Sequence, residues 1–221
     1  MTSSQASNRT NTVSQLIDAR ADAVPKSTAL IDRGRIWTYA ELAAESRRLA
    51  GGLLKLGIGS GDRVGFWLPN IAQYLTLHIA CARIGAITIS INTRFRSSEV
   101  GDIVGRSGCR ALVLWPSFKD IAFLDILAEV DSAQLEQLEI LITYSEDDQV
   151  TQLPGRQLSR RTVSYTDLAR SKMFAGDAAN AQSGVVVFTP SGTTAAPKLV
   201  LHSQASISHH AHDVASFFDW N

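Results

Sequence analysis

Only two cysteines occur among 221 residues, Cys81 and Cys109, and neither stands in a C-x-x-C or other zinc spacing. Their scarcity excludes a disulfide-framed secreted scaffold and a cysteine-based metal site. It leaves two buried free thiols in a reducing compartment, the cytoplasm, as the expectation. Charge of one sign is equally lacking, since 21 acidic residues face 21 basic ones, and basic pairs occur only at Arg47-Arg48 and Arg160-Arg161. That balance excludes the electrostatic footprint of a nucleic-acid partner or a polybasic membrane surface, so small molecules are the expected ligands. Long apolar runs are missing too: the longest, Leu75 to Ile91, is broken by His78, Arg83 and Gly85, and no membrane span is expected. The N-terminal MTSSQASNRTNT has no apolar core of the signal-peptide kind.

What is present is enough apolar residue, 45%, to fill a substantial core, and a regular alternation of patterns. Residues 1–12 read as a disordered polar tail and residues 13–221 as one α/β unit. A short amphipathic helix is expected over Val13 to Ala23, stopping before Pro25. Ala29 to Asp32 and Arg35 to Tyr39 flank Asp32-Arg33-Gly34 as a hairpin. Thr38 is placed to cap a helix over Tyr39 to Leu56, with Gly57 as its stop. Arg63 to Leu68 is a continuous apolar run of the kind found in strands covered on both faces. Pro69-Asn70 ends that strand and is expected to cap a helix to about Ile84, with Gly85 as its stop. Ala86 to Ile91 is the next strand, and Ser97 or Ser98 is placed to cap a helix through about Arg106.

Strand Ala111 to Trp115, a helix-like stretch from Lys119 to Val130 and strand Glu139 to Thr143 continue the alternation. Its natural outcome is a mostly parallel sheet flanked by helices. Between Ser145 and Gln182 the pattern fades into an expected surface excursion, with one helical turn over Thr166 to Ser171. A buried strand from Val185, a strand over Lys198 to His202 and a helix over Gln204 to Phe218 close the chain.

The segment Val185 to Val200, VVVFTPSGTTAAPKLV, joins a buried strand to a Ser/Thr/Gly loop that closes with Pro197 and Lys198. Successive backbone N–H groups, small hydroxyls and one lysine suit a phosphate cradle. The P-loop signature G-x-x-x-x-G-K-[ST] is not met, because Pro197 takes the place of its second Gly and Leu199 that of its Ser or Thr. An ordinary P-loop nucleotidase is therefore not expected. The bland alternative for such a cluster is a surface turn, and for Lys198 a solvated lysine.

Ser191, Gly192, Thr193, Thr194, Pro197 and Lys198 resemble, position by position, the phosphate-binding motif of the adenylate-forming superfamily, roughly [YF]-T-S-G-[ST]-T-G-x-P-K-G. Pro190, Ala195 and Leu199 depart from it. Where the middle position needs positive φ, Ala195 costs on the order of 1 kcal/mol. Three further blocks follow in family order. Trp37-Thr-Tyr-Ala-Glu-Leu is similar to the first core motif, and Gly57 to Asn70 to a G-D-r-V block. Cys81 to Asn92 is similar to the second core motif, at Gly85, Ala86 and Asn92. Asn92-Thr-Arg-Phe-Arg-Ser-Ser-Glu-Val looks closer to acyl-CoA and aryl-CoA synthetases than to amino-acid-activating domains.

The resemblance implies ATP-dependent activation of a small-molecule carboxylic acid through an acyl-adenylate, then transfer to coenzyme A. Ser191, Gly192, Thr193, Thr194 and Lys198 are the implied nucleotide-binding residues. The family's later motifs for adenine stacking, magnesium, ribose and the adenylation lysine are not found here. The expectation is thus an incomplete N-terminal domain, inactive alone, with Mg2+ ligands mainly elsewhere and no catalytic or metal residue assigned. The alternative is a non-catalytic remnant that binds a nucleotide or a partner. His209-His210-x-His212 reads as a solvated helix face rather than a metal site, and His202 as a surface or packing residue. The acid and the oligomeric state are left open.

Overall fold

The computed structural model describes residues 12–116, 118–119, 121–146, 160–189 and 198–218. Thr12 belongs to the fold rather than to a tail: it is buried, and its hydroxyl accepts from the Gln15 amide while the Gln15 side chain accepts from the Thr12 amide. This reciprocal cap starts helix α1, Val13–Ala23. Strands β1, Thr28–Asp32, and β2, Arg35–Thr38, form an antiparallel hairpin. Its two tip residues, Arg33 at φ 47° and Gly34 at φ 83°, take the left-handed values that tight hairpins need. Thr38 and Glu41 cap helix α2, Tyr39–Lys55, in the same reciprocal way.

Seven further strands make one sheet: β3 (Arg63–Trp67), β4 (Ile87–Ser90), β5 (Ala111–Leu114), β6 (Ile140–Thr143), β7 (Arg161–Ser164), β8 (Gly184–Phe188) and β9 (Val200–Ser203). Their spatial order is β7-β6-β5-β3-β4-β8-β9, and every pair is parallel except β8 with β9. The helices between them are α3 (Ala72–Ile84), α4 (Ser97–Ser107), α5 (Phe123–Ala128) and α6 (Tyr165–Ala169), and α7 (Gln204–Phe217) follows β9.

Alternation along the strands divides the core in two. Ala111, Val113, Ile140 and Ile142 join α2 and α3 in one cluster, whereas Leu112, Leu114 and Leu141 join α4 and α5 in the other. Helices on both faces are why these strands read as unbroken apolar runs. Among the described residues no helix is long and apolar enough to cross a membrane.

Several expectations are corrected. Asn70 does not cap α3; the cap position is Ile71, which offers no side-chain acceptor. Neither Ser97 nor Ser98 caps α4, because the helix already begins at Ser97, and the Arg96 amide donates instead to the Glu99 carboxylate at 3.1 Å. The helix expected over Lys119 to Val130 shrinks to Phe123–Ala128, since Lys119 sits at φ 53°, outside right-handed helical values. The expected excursion after Ser145 contains β7, which pairs residue by residue with β6.

Candidate functional site

The strand order fixes where a ligand can enter. From β3 the chain passes through α3 to β4 on one side, then returns through α4 to β5 on the other side of β3. Because α3 and α5, which follow β3 and β5, cover opposite faces, the loops leaving these neighbouring strands diverge, and such a switch point opens a crevice at the carboxyl ends of the strands. A cleft of about 710 Å³ lies there.

One wall is the β3–α3 turn, with Pro69, Asn70 and the ring of Tyr74; the loop after β4 contributes Asn92 to Arg94. Phe118 and Lys119 follow β5, and Phe188 and Thr189 end β8. The polar floor is tied down. The Tyr74 hydroxyl and Ser90 Oγ lie 2.8 Å apart, and the Thr189 hydroxyl donates to the Ser90 carbonyl at 3.3 Å. Burial pushes the Tyr74 phenol above its ordinary value, so it stays a neutral hydrogen-bonding group. Trp67 Nε1 donates to the Asn92 carbonyl at 3.2 Å, and the Asn92 side chain accepts from the Arg94 amide at 2.9 Å, which shapes the β4 loop. Exposed Arg94 and Lys119 stand on the rim, so the cleft combines a hydrogen-bonded polar floor, apolar rings from Phe118 and Phe188, and a cationic mouth. That arrangement suits an anionic ligand with an organic body.

Ser191, Gly192, Thr193 and Thr194 lie outside the described residues, as do Pro190, Ala195 and Pro197. Lys198 is described and exposed. The two ends of the segment are held side by side, because Phe188 of β8 is the register partner of Val200 of β9. β8 therefore ends and β9 begins at the same end of the sheet, beside the cleft. His202 takes the packing role weighed for it, with its ring edge-on to Phe188 at 5.3 Å. Among the described residues no group of three or more His, Cys, Asp or Glu side chains converges as a metal site.

Asn70, Tyr74, Ser90, Arg94 and Lys119 were not among the site residues expected from sequence, where Asn70 was read as a helix cap, although each sits at the carboxyl end of an expected strand or in the loop or helix turn that follows. The strand ends were legible; their convergence needed the strand order.

Both thiols are buried and unpaired, and desolvation pushes Cys81 up to about 12 and Cys109 to about 11. They are inert packing groups.

A family model described as AMP-binding enzyme matches residues 17–220. The chain is 33% identical over 220 residues to the mitochondrial medium-chain acyl-CoA ligase ACSF2 of Bos taurus, covering 90% of this chain and 34% of that protein. It is 32% identical over 171 residues to the acyl-CoA ligase sidI of Aspergillus fumigatus, covering 69% of this chain and 29% of the relative. The crystal structure of the anthranilate CoA ligase AuaEII in complex with anthranoyl-AMP shares the fold, with a TM-score of 0.74 and 21% identity over 89% of this chain and 35% of that one. The chain thus spans about a third of the proteins it resembles. With a family match across nearly its whole length, it belongs to the AMP-binding enzymes, the adenylate-forming family that its loop and core motifs resemble.

Proposed function

We propose that this chain is the N-terminal, phosphate-loop-bearing portion of an enzyme that activates a carboxylic acid with ATP and passes the acyl group to coenzyme A. The observation that carries this reading is the position of Phe188 and Thr189. They line the cleft and immediately precede Pro190 to Lys198 in sequence, which supports reading the loop and the cleft as one site. The names of the relatives support CoA ligation, and the medium-chain acids named for ACSF2 and the anthranilate named for AuaEII leave the substrate of this chain open.

In this reading the acid's carboxylate attacks the α-phosphorus of ATP, and pyrophosphate leaves. The hydroxyls of Ser191, Thr193 and Thr194, with backbone N–H groups around Gly192, hold the outgoing phosphates, and Lys198 offsets their charge. Positioning and charge stabilisation then carry the rate effect of this part of the enzyme. Magnesium neutralises phosphate charge when bound; we assign it no ligand among the described residues. Buried free thiols fit a reducing compartment such as the cytoplasm.

The test has two arms. Calorimetry should detect ATP binding by the chain and at least a tenfold weakening in Lys198→Ala; equal binding by both removes Lys198 from the account. Pyrophosphate exchange should detect no acyl-adenylate with the 221-residue chain alone, and measurable adenylate would overturn the portion reading.

A further inference from the structure

Thr189 stands just past the reach of the sheet. The β4–β8 ladder ends at the pair Ile89↔Val187, and on the other side Phe188↔Val200 is the outermost pair of β8 with β9. Pro190 follows, which confines the Thr189 backbone to extended values and offers no N–H for a further rung. The tie between Thr189 and the sheet is made by its side chain instead: the hydroxyl donates to the Ser90 carbonyl at 3.3 Å.

Ser90 is held in turn from the core. It is the register partner of Phe66 in β3, so the two side chains share a face of the sheet. Ser90 Oγ lies 2.8 Å from the Tyr74 hydroxyl, and the Tyr74 ring stands edge-on to Phe66 at 5.0 Å. Phe66 is fully buried. A line of contacts thus runs from the core through Phe66, Tyr74 and Ser90 to Thr189. Packing alone requires neither hydroxyl in its middle, because phenylalanine at position 74 would keep the ring against Phe66 and alanine at position 90 would fit the end of a strand. What the two hydroxyls add is a fixed place for the end of β4, and with it for the carbonyl that Thr189 binds.

Resting on the reading of Pro190 to Lys198 as the phosphate loop, we propose that Tyr74 and Ser90 are positioning residues for that loop, acting through Thr189. Tyr74 holds the end of β4, the Ser90 carbonyl holds Thr189, and Thr189 sets where and in which direction the following residues leave β8. Positioning of this kind matters because a displacement of about 1 Å in groups that orient a ligand can cost on the order of 100-fold in rate.

Calorimetric titration of the 221-residue chain with ATP, on variants shown by urea unfolding to be folded, tests the assignment. Thr189→Val keeps the shape and loses the hydroxyl; it should weaken ATP binding about three- to tenfold, the effect of one lost hydrogen bond, and Thr189→Ser should restore the parental affinity. Tyr74→Phe and Ser90→Ala remove the same bond from its two ends, so each should weaken binding about threefold and the two together no further. Members of one line act in series, so Tyr74→Phe combined with Thr189→Val should bind no worse than Thr189→Val alone.

Multiplying losses in that double variant would show independent contacts and overturn the proposal. Parental affinity in folded Tyr74→Phe and Thr189→Val, with binding still weakened in Lys198→Ala, overturns the inference and spares the functional reading. A folded parent chain that binds no ATP overturns that reading, and the positioning role with it.

Discussion

The carboxylate of Asp32 accepts a hydrogen bond from the amide of Ala72 at 3.1 Å, joining the β1–β2 hairpin to the first turn of α3 across 40 residues of sequence. Ile71 at the cap position has no acceptor of its own, so the hairpin provides both the acceptor and the negative charge that the helix start favours. Next to it, Arg33 pairs with Glu146 and lies 3.4 Å from the Tyr144 hydroxyl and 5.6 Å over the Trp115 ring. The hairpin tip thus spans the ends of β5 and β6 and braces the wall of the cleft formed by Asn70 and Tyr74.

Asp32→Ala should therefore lower stability by about 1 kcal/mol, the usual effect of losing a helix cap. Asp32→Asn, which keeps an acceptor, should lose less. Urea unfolding of the three proteins checks this, and equal midpoints for Asp32→Ala and the parent would show that the long-range cap contributes nothing.

Arg83 is 1% exposed and forms a two-pronged pair with Asp18 at 2.7 and 2.8 Å, while Arg47 approaches the same carboxylate at 3.1 Å. Burial alone would raise the Asp18 carboxyl, but the two guanidiniums outweigh it and hold it below its ordinary 3.8. Asp18→Ala strands a buried cation and should cost about 3–5 kcal/mol; Arg83→Met should cost less, because Asp18 regains water. With the folded value depressed, the contribution is complete above the ordinary carboxylate value and is lost as pH falls through the folded one. Unfolding midpoints of both variants at neutral pH, with acid titration of the parent, measure this.

His78 packs with Nδ1 3.0 Å from the Thr88 hydroxyl, and burial pulls its imidazole down to about 4. Between that value and 6.5 the unfolded chain binds the proton more readily, so stability falls as pH drops through this window. The parent should lose more stability between pH 7 and pH 5 than His78→Gln, as read from denaturant midpoints at the two pH values. Parallel losses would show that another group carries the acid sensitivity.

Gly51 lies inside α2, where exchange for alanine ordinarily gains up to about 1 kcal/mol. A Cβ there runs into the backbone carbonyl of Lys172, in a segment pinned by the Phe174 amide donating to the Arg47 carbonyl at 2.9 Å. Gly51→Ala should instead lose about 1–3 kcal/mol. Gly59→Ala meets no neighbour within 4 Å and should be close to neutral. Thermal unfolding distinguishes the pair, and a stabilised Gly51→Ala would show that the Lys172 segment yields freely.

Much of the architecture was legible because it is written in local period and punctuation. α1 and β3 start and α2 starts at the expected residues, and the hairpin turn falls at Arg33-Gly34. Gly57 and Gly85 take the left-handed values their positions as helix stops call for. β7 was missed because Arg161-Thr-Val-Ser is short and polar, and at the margin of the sheet its strand character comes from pairing with β6 rather than from its own pattern. The cap of α3 was misassigned because its acceptor comes from 40 residues away, beyond the reach of any local rule.

The candidate site divides in the same way. Sequence by itself determined the alternation of strands and helices, the family resemblance and the composition of the loop from Ser191 to Lys198, since all of these depend on residue type and short spacing. Only the tertiary structure decided that β3 lies between β4 and β5, that Tyr74, Ser90, Arg94, Lys119 and Thr189 meet around one cleft, and that β9 lies at the edge of the sheet. Those outcomes follow from strand order and from which faces the helices cover, and burial of apolar area across the whole chain selects them.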